Sequence, residues 1–240
     1  MNNGEQLPTT TACQSRVRLF QPTHRPTRID EEFATSWGTC RVRGRLGQRH
    51  ADVLESVIFH SQFRQIDGRL QLLVDPALVR RTISEDGYSG AGLESMMDDL
   101  TEALLVVRTA TVQTAGHLIE TWRKSLVTKP NPLGGERNLW LVILGDALCE
   151  MMKVDLTFHR SPGEIPLLKN GISKAIVRHC LTHKYEPNGG WNVDRLILTV
   201  CPGASAVDMR NRRRELRKEV DVIRRCGFVL GIGKLTKVIG

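Results

Sequence analysis

The residues best suited to do chemistry lie between Met209 and Arg225, where the chain reads MRNRRRELRKEVDVIRR. This stretch predicts one long helix over about 205–225, entered after Pro202-Gly203 and stopped by Gly227 as the residue past its end. At 100° per residue, with Leu216 as zero, Met209, Val220 and Ile223 fall within about 40° of it and form an apolar stripe. Arg210, Arg214, Arg217, Lys218 and Arg225 fall between about 100° and 200°, on the far side, and Asp208, Glu215 and Glu219 gather at about 260–300°. A helix charged only for solubility mixes its signs as i,i+4 pairs, whereas Arg210–Arg214 and Arg214–Lys218 are both like-charge. Such pairs destabilise by about 0.2–0.5 kcal/mol each unless an anion lies against them. A DNA phosphate backbone is such an anion, and arginine is the commonest reader of guanine edges in the major groove. Arg210, Arg212, Arg213, Arg214, Arg217 and Lys218 are therefore the expected DNA contacts. Lys234, beside the Gly233 turn, and Lys237 extend the set onto a following hairpin.

Catalytic and metal chemistry find less support. Metal-dependent DNA-nicking enzymes need a His-hydrophobe-His metal site and a tyrosine nucleophile. The sequence has no His-x-His, and its only tyrosines are Tyr88 and Tyr185. His179 and His183 are one helical turn apart near Tyr185, but without a third ligand the pair reads as packed or hydrogen-bonded histidines. Gly227–Leu235 reads GFVLGIGKL, and a phosphate loop would need glycine in place of Phe228 and a hydroxyl in place of Leu235. No catalytic residue, metal or cofactor is expected.

The elements that must position the basic helix come from a chain of 240 residues with 34 Lys+Arg against 26 Asp+Glu, a formal charge of +8 that makes nucleic acid the first partner to consider. The longest clear apolar run is Leu139–Leu144, too short for a membrane span, and Met1–Leu7 lacks the pattern of a secretory signal. Six scattered cysteines without CxxC spacing fit a reducing compartment, so a cytoplasmic, DNA-associated protein is expected. Met1–Arg28 holds Pro8, Pro22 and Pro26 and little periodicity; residues 1–45 are read as a flexible N-terminal arm. Helices are predicted over about 48–61, from Asp75-Pro76 to Ile83, and over about 93–103, with a strand at Leu70–Val74 and a glycine-bearing loop at Asp86–Gly92. Two strands, Leu104–Arg108 and His117–Trp122, are predicted to meet at a turn around Thr114–Gly116. Lys129–Glu136, with two prolines and two glycines, reads as a linker.

After it come a strand at Leu139–Leu144, helices at Asp146–Met152, Asn170–His183 and Val193–Leu198, the long basic helix, and a ribbon of Phe228–Ile232 with Leu235–Val238. The order of elements, helices ending in a long one and then a hairpin, occurs twice. It predicts an α+β chain of two tandem winged-helix domains, each a helical core with a β-hairpin wing, over 46–128 and 137–240. The second is expected to read DNA. The long helix of the first carries Glu94, Asp98, Asp99 and Glu102, which would repel phosphates, so a protein contact or core role is expected there.

LWLVILGDALCEMM with VDLTFH (139–152, 154–159), GISKAIVRHCLTH (171–183), WNVDRLI (191–197) and MRNRRRELRKEVDVIRRCGF (209–228) give the chain a resemblance. Asn138–Gly240 resembles the winged-helix initiators of plasmid replication, most closely the RepC-type iteron-binding initiators of IncQ-like plasmids. The resemblance implies a non-enzymatic protein that binds repeated double-stranded origin sites, promotes origin opening and takes part in copy control. It further implies recruitment of a host helicase or helicase loader and the host initiator, and self-association as a homodimer through the first domain. A winged-helix transcriptional regulator and a metal-dependent nicking enzyme are the alternatives.

Overall fold

The computed structural model describes residues 7–84, 89–132 and 134–238. The fold is mixed α+β with two hydrophobic cores, one drawn from Cys13 to Met151 and the other from Ile165 to Leu235. Among the described residues no helix is long and apolar enough to cross a membrane.

The chain opens with β1 (Thr10–Thr11) and α1 (Ala12–Arg16), which Thr11 and Gln14 close as a capping box. Residues 7–44 are not the flexible arm expected for 1–45, because Leu19 and Phe20 are buried in the first core. β2 (Ile29–Ala34) and β3 (Thr39–Gly44) then form an antiparallel pair. In β3 the alternation of arginine with small or apolar residues is that of a half-buried strand: Cys40 and Val42 point inward, while Arg41 and Arg43 reach out to Asp30.

Next come α2 (Gln48–His60), β4 (Gln62–Ile66), β5 (Arg69–Val74) and α3 (Pro76–Ile83), the last capped by Asp75 with proline at its first position. α4 (Gly90–Glu102) absorbs Gly90 and Gly92 into its first turn, and the Asp86–Tyr88 part of the predicted loop lies outside the described residues. β6 (Leu104–Arg108) and β7 (Gln113–His117) pair around Thr109–Val112, so the turn predicted at Thr114–Gly116 is strand instead. β8 (Ile119–Pro130) and β9 (Glu136–Leu144) form a long hairpin, followed by α5 (Asp146–Val154) and β10 (Thr157–Phe158), which returns to pair with β1.

The predicted linker at 129–136 is the tip of that long hairpin: Thr128, Lys129 and Pro130 pair with Asn138, Arg137 and Glu136. Proline and glycine mark a tight turn here, not a domain boundary. β9 also pairs with β5, in a sheet of order β4-β5-β9-β8, while the other large sheet runs β2-β3-β6-β7. A boundary at 128 would therefore split a sheet, and the first unit holds far more β-structure than a single wing. The cores divide instead between Met151 and Ile165.

The second unit starts at a single 3₁₀ turn, Ile165–Leu167, and continues through α6 (Gly171–Leu181), β11 (Trp191–Asn192), α7 (Val193–Val200), α8 (Ala206–Arg217), α9 (Val220–Arg225), β12 (Phe228–Leu230) and β13 (Lys234–Lys237). Its three short strands are ordered β11-β13-β12, all antiparallel. The helix predicted over 205–225 is two helices, interrupted at Lys218-Glu219, where Glu219 leaves helical geometry (φ −119°, ψ 19°).

The two units meet through charge. α2 presents Gln48, Asp52 and Glu55 on one face (i, i+4, i+7), and α6 presents Lys174 and Arg178, also a turn apart. The Arg178 guanidinium donates to Gln48 Oε1 (2.9 Å), Asp52 Oδ1 (2.7 Å) and both Glu55 carboxylate oxygens (3.0 and 3.1 Å). Lys174 donates to Asp52 and to the Pro166 carbonyl, and Arg160 to Glu55 at 3.1 Å. Asp52, Glu55, Lys174 and Arg178 are all buried. Burial alone would raise both carboxyl pKa values, but the cations outweigh it: Lys174 and Arg178 hold Asp52 below its ordinary value, and Arg178 and Arg160 do the same for Glu55.

Removing one partner from such a lattice strands the others in a dry interior. Arg178→Met is expected to destabilise the protein by about 3–5 kcal/mol in urea unfolding. A loss below about 1 kcal/mol would mean that the lattice is dispensable. Because Asp52 and Glu55 are depressed, their contribution is complete above their unfolded pKa values near 4 and is lost as pH falls through the lower folded values. Stability measured against pH should therefore fall below about pH 4 in the wild type, and more shallowly in Arg178→Met.

Candidate nucleic-acid interface

The three acids in and just after α8 each have a partner. Ser205 caps its N-terminus and Asp208 returns the hydrogen bond, so Asp208 is a capping-box residue. Glu215 pairs with Arg212, one turn back, at 2.9 Å. Glu219 folds under the helix end and is buried, accepting from the Lys169 and Asn170 amides and the Ser173 hydroxyl. It thereby caps α6, whose own Asn170 side chain makes no capping bond. Met209, Leu216 and Ile223 are buried as the apolar stripe predicts, whereas Val220, at the break, is exposed.

The eight expected DNA contacts divide into three groups. Arg210, Arg214, Arg217, Lys218 and Lys234 are exposed. Among the described residues, no carboxylate lies within ion-pair reach of any of them. Arg212 and Arg213 are half-buried and paired: Arg213 grips Asp194 of α7 through two bonds (2.6 and 2.8 Å), holding that carboxyl below its ordinary value. Lys237 is occupied elsewhere. Its ammonium donates to the carbonyls of His183 (2.6 Å) and Lys184 (3.0 Å), and its backbone N–H to Glu186. It ties the end of α6 to β13 and does not belong to the open cationic surface. Asn211, between Arg210 and Arg212 on α8, is also exposed, and asparagine is a side chain able to pair bidentately with adenine.

The remaining candidates lie away from α8. His179 and His183 face each other with Nε2 atoms 3.4 Å apart, and the His183 ring stands edge-on to Trp191. Burial, then the neighbouring His183, pushes His179 down to about 4, so it is neutral at physiological pH. Among the described residues no group of three His, Cys, Asp or Glu side chains is placed to hold a metal ion. In α4, Met96 and Met97 are buried, and three of its four acids are tied within the unit: Glu94 to Lys124 (3.0 Å), Asp98 to the Trp122 indole N–H (2.9 Å), and Asp99 to His50 (3.0 Å); Glu102 is exposed. Tyr88 lies outside the described residues.

Glu219→Ala leaves two amides and a hydroxyl without their acceptor and is expected to cost about 1–3 kcal/mol. Leu216→Ala should cost about 2–5 kcal/mol, and Arg214→Ala no more than about 0.5. Thermal or urea unfolding of the three variants checks this ordering. A loss for Arg214→Ala comparable to that for Leu216→Ala would place Arg214 in the fold, not on a binding surface.

No protein-family model, no curated protein and no solved structure matches this chain.

Proposed function

We propose that this chain is a sequence-specific double-stranded DNA-binding protein that initiates plasmid replication, with α8 as its recognition helix. The observation that carries the DNA reading is the row of exposed cations, Arg210, Arg214, Arg217 and Lys218, on a helix whose two acids are taken up by the Ser205 cap and by Arg212. Left to water alone, that row is self-repelling; a polyanion lying against it removes the repulsion. The surroundings support it. A helix, a short strand, three further helices and a hairpin, with strands ordered β11-β13-β12, are elements that a winged helix would use, and in that reading β12–β13 is the wing. In helix-turn-helix readers the second helix enters the major groove and contacts base edges with its N-terminal part, where Arg210 and Arg214 stand.

The initiator half of the proposal rests on the resemblance of residues 138–240 to RepC-type initiators. In that reading the second unit binds origin repeats, and the first supplies contacts to a second copy or to the host helicase machinery. α4 carries four acids and no Lys or Arg, which is compatible with a first unit that keeps away from phosphates. The first unit's two four-stranded sheets depart further from the winged-helix plan than the second unit does.

Selection from a random duplex pool, followed by footprinting on plasmid DNA, tests both halves. Tandem direct repeats beside an AT-rich tract support an initiator; a promoter palindrome overturns that half and leaves a regulator. On the selected site, Arg210→Ala and Arg214→Ala should each lose about 1–3 kcal/mol of discrimination over scrambled DNA. Lys218→Ala should weaken both DNAs alike and lower the log K against log salt slope by about 0.9. Lys237→Ala should leave that slope unchanged. Equal losses on both DNAs for Arg210 and Arg214 would mean that α8 grips only the backbone.

A further inference from the structure

The hairpin of β12 and β13 ends in Gly231, Ile232, Gly233 and Lys234, and Ile232 is fully exposed, at 104%. Single apolar residues on a surface need no explanation. The setting of this one does. The Gly231 N–H donates to the Lys234 carbonyl at 2.8 Å, closing the hairpin directly beneath the isoleucine. Gly233 turns the chain at φ +68°, a conformation that a side-chain-bearing residue rarely adopts. Ile232 thus projects from a narrow tip with no side chain on either neighbour, and its branched β-carbon keeps it stiff.

The tip is also anchored beside the cationic row. The Gly233 carbonyl accepts from the Val193 N–H at 3.0 Å, and Lys234 pairs with Asn192 across the sheet. The next residue along, Asp194, holds the Arg213 guanidinium. The hairpin tip and the middle of α8 therefore fasten to three successive residues at one end of α7. Arg210 and Arg217, three residues before and four after Arg213, lie on the same flank of α8.

We propose that Ile232 is an apolar wedge that enters the minor groove of duplex DNA and partly unstacks one base step while α8 lies in the adjoining major groove. The inference rests on the DNA reading above and names what the wing does within it. A minor groove about 6 Å wide admits a tip flanked by glycines more readily than one flanked by side chains. Lys234 and the α8 cations neutralise the phosphates on either side. Inserted apolar side chains of this kind kink a duplex toward the major groove by about 20–90°, most cheaply at flexible pyrimidine–purine steps such as TpA.

The full-length chain is titrated onto a short alternating TpA duplex in which 2-aminopurine replaces adenine, so that unstacking raises fluorescence, with dyes at the two ends to report bending. The wild type at saturation should raise the 2-aminopurine signal and shorten the end-to-end distance. Ile232→Ser should abolish both changes while keeping the wild-type melting temperature and the wild-type salt slope, and Ile232→Leu should retain them. A bound wild type that leaves the duplex stacked and straight overturns the wedge, as does an unchanged signal in Ile232→Ser; either leaves DNA binding intact. Failure of the wild type to bind this duplex, the selected site or any other overturns the DNA reading itself and the wedge with it.

Discussion

Arg178 is the residue on which the relation between the two halves of this protein depends. Its guanidinium uses its rigid fork to engage three acceptors that α2 lines up at one-turn intervals, and Lys174 and Arg160 complete the neutralisation. An apolar interface of the same size would tolerate sliding, because burial is indifferent to direction. Directional bonds to buried charges do not. Each has a single acceptable geometry, and any displacement leaves a charge unpaired where no water can compensate. The register of α6 on α2 is thereby fixed, and the attitude of the second unit against the first follows from it.

The exposed arginines of α8 have a related origin. A run with five arginines between Ala206 and Arg217 would ordinarily be balanced by the acids interleaved with it. Here the backbone claims Asp208 at the helix start and Glu219 beyond its end, and Glu215 is satisfied by Arg212. Capping and surface charge are the same property seen at two scales: by satisfying orphan amides locally, the acids leave the far side of the helix with an unbalanced field.

Helices with strong local signals were legible in the sequence. The Asp75-Pro76 start and the stop at Gly227 follow from capping chemistry, and α2 and α6 from periodicity, although α6 ends at Leu181, two residues short of the expected His183. Partnerships between distant residues were not legible. Gln48, Asp52 and Glu55 lie on the polar side of α2, and nothing in their spacing shows that Arg178, more than a hundred residues away, covers it. β4 (QFRQI) carries no alternation worth reading because it is an edge strand with one face open to water. The Pro-Gly cluster at 130–135 marks a turn equally well inside a sheet or between domains, and only pairing to β5 decides which. In the candidate site, residue types were readable and partnerships were not. Lys237 and Arg213 look as free as Lys218 in the sequence, and the groups that engage them lie 19 to 54 residues away.

Glu219 joins these observations into a load path. It sits at the foot of α8 and grips the first turn of α6; farther along that single helix, Lys174 and Arg178 are locked to α2. A lever with a clamped foot and a clamped middle cannot yield at either without straining both. A torque applied to the arginine face of α8 is therefore carried by α6 into α2, on which the first core is built, instead of dissipating in a loose joint.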